Sequence, residues 1–205
     1  FTPVRARRQM PRLRVLRPTA RVAGMASTSV VMPTEPALTD SISVAIFDGG
    51  LPDDHPVTAW ATPIDATGGA GTDPENTEHG VAVPSAFLFG HIDPSKPLPR
   101  PYAPVDHYRV LDTTPGQDPF ELAIVLERID KVLNNKHYDF VNLSVGPICP
   151  MEDDDVHPWT AVIDERLARG KTLATIAAGN LGEKNFGFDR VQAPADCVNA
   201  IGVGA

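Results

Sequence analysis

Three polar residues, Asp48, His79 and Asn180, are of the types that perform acyl transfer when they meet. Asp48 directly follows an apolar, β-branched run, and Asn180 follows Gly179 after a second apolar run. A carboxylate can orient an imidazole that acts as a base, while a side-chain amide donates to a developing oxyanion. The residue types therefore favour chemistry at a carbonyl carbon, provided that the fold brings the three side chains together.

The elements that must position these residues alternate along the chain. Apolar runs predict strands over 42–47, 108–111, 140–143, 172–177 and 200–203. Helices are predicted from 79 to 90, after a capping box that starts at Asp118, and over 159–169, where Gly170 follows as a C′ residue. This alternation predicts an α/β fold in three layers, with a mostly parallel sheet and helices on both faces.

The carboxyl ends of parallel strands meet at one edge, which is where ligands bind in open sheets. Asp48, the segment 144–146 and the pair Gly179 and Asn180 are all expected at that edge. His79, at the start of its predicted helix, is expected to face the same edge, and Pro84 is expected to kink or shorten that helix. The Gly- and Pro-rich stretch 51–78 is predicted to be loop.

Length and charge limit the class of protein. With 205 residues and 42% hydrophobic residues, the chain has room for one domain, or for a core and a tail. The net charge is −8, yet seven of the 18 basic residues precede the first acid, Glu35. Residues 1–39 are therefore interpreted as an Arg- and Pro-rich linker, or as an arm laid over another surface. Residues 40–205 form the predicted domain, and their acidity argues against nucleic acid as a partner.

Targeting and redox signals are sparse. The apolar runs are too short to span a membrane, and no secretory signal is visible, which favours a cytoplasmic location. Cys149 and Cys197 do not form a disulfide scaffold or a metal-binding spacing. We expect neither a membrane nor a nucleic acid among the partners.

Five sequence blocks resemble those of subtilisin-like serine proteases in order and approximate spacing. The blocks are IFDGG (46–50), EHGVAV (78–83), VNLSVG (141–146), AAGN (177–180) and the 193–205 segment with its Pro-Ala and Val-Gly-Ala elements. The resemblance covers residues 40–205 and implies a subtilisin-like fold. It also implies a serine endopeptidase that uses a catalytic triad and an oxyanion hole.

The resemblance assigns roles residue by residue. Asp48 would orient and stabilise the imidazole of His79, which would serve as general base and then general acid, and Asn180 would complete the oxyanion hole. Backbone groups of the substrate-binding segment would pair with an extended peptide, and a second segment would form a wall of the pocket for the side chain before the scissile bond. The first segment is Ser144, Val145 and Gly146, and the second is Ala177, Ala178 and Gly179. Phe186, Phe188 and Gln192 either line this pocket or pack in the core.

Departures from the family pattern lead to two hypotheses. Gly49 and Val81 stand where the family has Ser or Thr, so lost hydroxyl contacts are expected to loosen the dyad. No serine lies in the family's Gly-Thr-Ser turn, and Ser144 does not match a nucleophile elbow. The first hypothesis is therefore a serine endopeptidase domain truncated before its serine, inactive as this chain alone. The alternative is a non-catalytic relative that binds peptides or a protein partner.

The resemblance also bears on partners and ions. A polypeptide substrate and the remaining C-terminal part of the parent domain are the expected partners. No cofactor is required by the chemistry, and calcium is an optional structural ion. Two acidic stretches, 53–55 and 152–155, are candidates for calcium, but neither matches a defined loop, and solvated acidic loops are the favoured interpretation.

Overall fold

The main structural unit is a six-stranded sheet in which every neighbouring pair of strands is parallel. The computed structural model describes residues 13–15, 30–93, 95–112, 121–180 and 190–204. Its strands are β2 (Val44–Asp48), β3 (Ala61–Asp65), β4 (Val105–Arg109), β5 (Phe140–Leu143), β7 (Leu173–Ala177) and β8 (Ile201–Val203). They lie in the sheet in the order β3-β4-β2-β5-β7-β8.

Helices pack on both faces of this sheet. Alternate residues of β2 point to opposite faces, and apolar residues on each face pack in a separate core. Val44 and Ile46 pack in a core with the end of α1 (Pro74–Phe89). Ala45 and Phe47 belong to a second core that includes residues of α2 (Glu121–Asn135) and α3 (Pro158–Leu167). The predicted α/β architecture, with a mostly parallel sheet between helices, is confirmed.

Helix α2 shows how directly the sequence pattern specifies packing. Its apolar residues recur every three or four positions, and the stripe includes Leu122, Val125 and Ile129, all buried against the sheet. The capping box expected at Asp118 lies outside the described residues. Helix α3 also follows the prediction closely, because Trp159 and Ile163 lie on its buried face.

The prediction of loop over 51–78 was wrong in three places. It contains β3, a partly exposed edge strand, and a short 3₁₀ helix, Pro56–Ala59. It also contains the first turn of α1, which begins at Pro74 because the Asp73 side chain accepts from the N–H of Glu75 as an N-cap, 2.8 Å away.

His79 therefore lies in the second turn of α1 rather than at its start. The helix continues through Pro84 to Phe89, so this proline does not shorten it. Strand β4 begins at Val105, three residues before the predicted start, and includes the buried side chain of His107.

Two further strands form a separate antiparallel pair. Strand β6 (Val145–Pro147) follows β5 after Ser144, and β1 (Leu13–Val15) comes from the Arg-rich N-terminal region. Leu13 faces Pro147 and Val15 faces Val145 in the register. Part of the N-terminal region thus pairs with Val145 and Gly146, which belong to the predicted peptide-binding segment.

Candidate active site

Asp48 and His79 form a buried hydrogen-bonded pair at the carboxyl end of the central strand β2. The Nδ1 atom of His79 lies 2.8 Å from Oδ1 and 2.9 Å from Oδ2 of Asp48. The Asp48 side chain is fully buried, and His79 is 8% exposed. An ionised carboxylate is the natural acceptor for an N–H at Nδ1, and this arrangement leaves Nε2 as the nitrogen able to take a proton.

The turn after β2 is packed tightly against α1, and it explains why glycine follows Asp48. A Cβ atom on Gly49 would overlap the carbonyl oxygen of Asn76, and a Cβ on Gly80 would overlap the carbonyl oxygen of Gly50. The N–H of Gly49 itself donates to Oδ1 of Asp48, 2.6 Å away. The expected loosening of the dyad by Gly49 and Val81 is not seen, because both contacts between the His79 and Asp48 side chains are in place.

A second histidine, His107, is fully buried on the same side of the sheet as the dyad. It lies on β4, and its Cα pairs with that of Ile46, two residues before Asp48. Among the residues that the structure describes, neither of its ring nitrogens has a hydrogen-bond partner. Burial lowers the pKa of His107, and the nearby negative charge of Asp48 opposes this effect only in part.

The predicted substrate-binding segment lies beside the dyad strand, at the end of β5. The Ser144 hydroxyl accepts a hydrogen bond from the Asn142 amide nitrogen, 2.8 Å away. The Thr175 hydroxyl on β7 donates to the Asn142 amide oxygen at 3.0 Å. Val145 and Gly146 lie in β6, where β1 pairs with them in antiparallel register. The Asn142 side chain therefore links two strands and the Ser144 hydroxyl.

The segment from Ala177 to Asn180 leaves the end of β7 and reaches the surface. Ala177, Ala178 and Gly179 are partly buried, and Asn180 is exposed. The Ala178 N–H donates to the carbonyl of Val203, 2.7 Å away, which holds the segment against β8. Phe186 and Phe188 lie outside the described residues, whereas Gln192 is buried against Gly179.

The acidic stretches at 53–55 and 152–155 lie in loops. In the described part of the chain, no three His, Cys, Asp or Glu side chains come together as metal ligands would. Asp153 instead pairs with Arg190. None of the helices within the described ranges has the length and apolar character needed to cross a membrane.

Sequence reasoning missed three features around the site. Asn76 is fully buried beside Gly49, His107 is buried on the same side of the sheet as the dyad, and the Asn142 amide donates to the Ser144 hydroxyl. The Asp73-Pro74 pair was a usable signal for the start of α1, because an N-cap followed by proline predicts a helix. No local signal marks His107, since its burial depends on three strands and a helix.

The sequence matches a family model that is described as the subtilase family, over residues 39–205. No curated protein matches the sequence. The match covers most of the chain and includes the Asp48 and His79 pair, the 144–146 segment and Asn180.

Solved structures with a similar fold include proteases. The structure of the prenylagaramide maturation protease PagA is 19% identical, with a TM-score of 0.52, and the alignment covers 78% of this chain and 52% of that chain. The Aeromonas sobria serine protease (ASP), in complex with the chaperone ORF2, is 18% identical, with a TM-score of 0.46, covering 69% of this chain and 25% of that one. The chain thus spans about half the length of PagA, and at this identity the likeness to PagA supports the fold.

Proposed function

Because the chain belongs to the subtilase family, we propose that it is part of the catalytic domain of a serine endopeptidase, with Asp48 and His79 as two members of the triad. The observation that carries the proposal is the buried hydrogen bond between the His79 ring and the Asp48 carboxylate. The third member is a serine outside these 205 residues, as expected from the absence of a matching Gly-Thr-Ser turn in the sequence.

The proposed proton path starts at Nε2 of His79. The serine hydroxyl attacks the peptide carbonyl carbon, its proton passes to Nε2, and the carbonyl oxygen becomes an oxyanion. The same proton is then delivered to the leaving amine as the peptide C–N bond breaks, which leaves an acyl-enzyme. A water molecule then attacks the acyl-enzyme by the same steps, with His79 again as the base. The carboxylic acid product leaves and the serine is restored. Asp48 stabilises the imidazolium at both stages, and its burial strengthens that interaction.

Asn180 is proposed as the side-chain donor to the oxyanion. It lies after β7, two strands from the dyad strand β2 in the same sheet, and its exposure leaves it accessible to a substrate. A donor that is aimed at the oxyanion before the reaction begins stabilises the transition state more than the ground state.

The peptide is proposed to bind by strand addition along Ser144–Gly146. The pairing of β1 with β6 supports this proposal, because it places an extended segment against the same backbone. The small residues Ala177, Ala178 and Gly179 are proposed as a wall of the pocket for the side chain before the scissile bond.

Labelling by a fluorophosphonate tests the proposal in the full-length protein that contains this chain. Wild-type protein is expected to label and to hydrolyse peptides, and His79→Ala should abolish both activities because the serine loses its base. His91→Ala replaces an exposed histidine just beyond α1 and serves as the matched control, with both activities retained. A folded full-length protein that neither labels nor hydrolyses peptides, yet binds them, would instead support the non-catalytic alternative.

A further inference from the structure

Gln192 is one of the few buried polar residues in the described part of the chain, with 3% of its surface exposed. Its backbone is fixed on both sides. The N–H donates to the carbonyl of Ala178, 2.9 Å away, and its carbonyl accepts from the N–H of Ala195 at 3.0 Å. The residue is therefore attached directly to the segment that leads from β7 to Asn180.

The side chain of Gln192 packs on Gly179. Gly179 adopts a φ of 105°, a conformation that other residues rarely adopt, and a Cβ atom placed on it would overlap Cγ of Gln192. The Gln192 amide nitrogen donates to the carbonyl of Arg190, 2.8 Å away, which fixes the side chain in this position. Gly179 thus has a rigid neighbour on one side, immediately before Asn180.

The same stretch also contacts the segment that follows β6. The Ala193 N–H donates to the carbonyl of Cys149, 2.9 Å away, and Gln192 forms an antiparallel bridge with Pro150. The carbonyl oxygen of Ala193 lies close to Gly146, 3.1 Å from where a Cβ would stand. Residues 190–195, which we call the brace, therefore contact both segments that are proposed to bind the peptide.

We propose that Gln192 is a positioning residue that sets the orientation of Asn180 through Gly179. This inference rests on the proposed function, in which Asn180 donates to the oxyanion. Asn180 lies three residues beyond the end of β7 and directly follows Gly179, so the position of Gly179 bears on the direction of its side chain. Catalytic donors need to be held within about 0.5 Å of their productive position, and the contact with Gln192 supplies that restraint.

A double-mutant cycle in the full-length protein tests the proposal. Gln192→Ala is expected to lower kcat by roughly ten- to hundredfold with little change in KM, because a small displacement of an aligned group has that cost. Asn180→Ala should lower kcat by roughly 10²- to 10³-fold, which is the usual cost of removing one oxyanion-hole donor. If Gln192 acts through Asn180, the double variant should be no slower than Asn180→Ala alone.

Two further variants separate positioning from general destabilisation. Gln192→Met keeps a long side chain against Gly179 and is expected to retain kcat within about threefold, since volume-conserving changes perturb packing least. Thr160→Val removes the hydroxyl of a different buried polar residue, which donates to Asp196 at 2.6 Å, without touching Gly179. It should lower the urea midpoint and leave kcat unchanged.

Hydrogen exchange supplies a readout that does not depend on activity. Gln192→Ala is expected to speed exchange in the peptide that contains residues 178–180, and Thr160→Val is not. Unchanged exchange in Gln192→Ala, or full additivity in the kinetic cycle, would overturn the positioning role. If the wild-type protein hydrolyses nothing, the proposed function fails, and the exchange result alone decides whether Gln192 holds this segment.

Discussion

The two sides of the candidate site are built differently. Asp48 and His79 lie inside the fold, between β2 and α1, where backbone packing leaves no room for a Cβ at Gly49 or Gly80. The segments proposed to meet the peptide are backbone stretches beyond β5 and β7, and the second of them leads to the exposed Asn180. One side is held by the core, whereas the other depends on the pairing of β1 with β6, on the contact with β8 and on the brace.

This difference matches the work proposed for each side. A proton relay benefits from a fixed geometry and from the low dielectric of a buried environment, which strengthens the interaction between carboxylate and imidazolium. Peptide recognition by strand addition needs accessible backbone groups, so it must occur at an edge. Changes to the Asp48 and His79 pair should therefore alter kcat, and changes to the backbone that is proposed to pair with the peptide should alter KM.

The largest effect is expected from Asp48→Asn in the full-length protein. The substitution keeps the shape of the side chain but removes the charge and favours the wrong tautomer of His79, so kcat should fall on the order of 10⁴-fold. KM should hardly change because Asp48 is fully buried and does not reach the peptide. Steady-state kinetics on one peptide substrate measure both constants.

Asp40→Asn provides a control for the loss of one carboxylate at an exposed position, and it should leave kcat and KM unchanged. A large rise in KM for Asp48→Asn, with kcat retained, would contradict the division between a buried relay and a surface binding site.

A smaller effect is expected on the surface side when residues 1–16 are deleted. Strand β1 occupies the β6 backbone, and a segment tethered to the same chain competes with an added peptide at an effective concentration in the millimolar range. The deletion should lower KM for an extended peptide by roughly three- to tenfold and leave kcat unchanged.

A short ester that does not reach β6 is the control substrate, and its KM should be the same with and without residues 1–16. If the deletion leaves KM for the extended peptide unchanged, β1 does not compete with substrate and the assignment of this edge to peptide binding is weakened.

The smallest effect concerns acid stability and the buried side. Burial lowers the pKa of His107 in the folded protein, so the unfolded state binds more protons once the pH falls below its ordinary value, near 6.5. The stability linked to this histidine is present above that value and is lost as the pH falls towards the lowered pKa. His107→Asn should therefore lose less stability than wild type between pH 7.5 and pH 5.

Urea unfolding at both pH values measures this difference as the change in free energy of unfolding. Equal losses for His107→Asn and wild type would mean that His107 keeps its ordinary pKa in the folded state.

Much of the architecture follows from local pattern. The stripe through Leu122, Val125 and Ile129 predicts α2, and the short apolar runs before Asp48 and Ser144 predict the central strands, because burial selects those periodicities. The resemblance to subtilisin-like proteases, drawn from five short blocks, is confirmed by the family match. Strand β3 escaped prediction because it is a partly exposed edge strand containing Pro63, and such strands lack a clear apolar alternation.

The sequence by itself determined which residue types occur at the ends of the strands: Asp48 after β2, Ser144 after β5 and Asn180 beyond β7. Only the tertiary structure decided that His79 reaches Asp48 from the second turn of α1, that His107 lies buried on the same side of the sheet, and that Gln192 packs on Gly179. The physical reason is that these contacts join residues far apart in the chain. Local periodicity records which face a residue presents, and the packing of separate elements sets what that face meets.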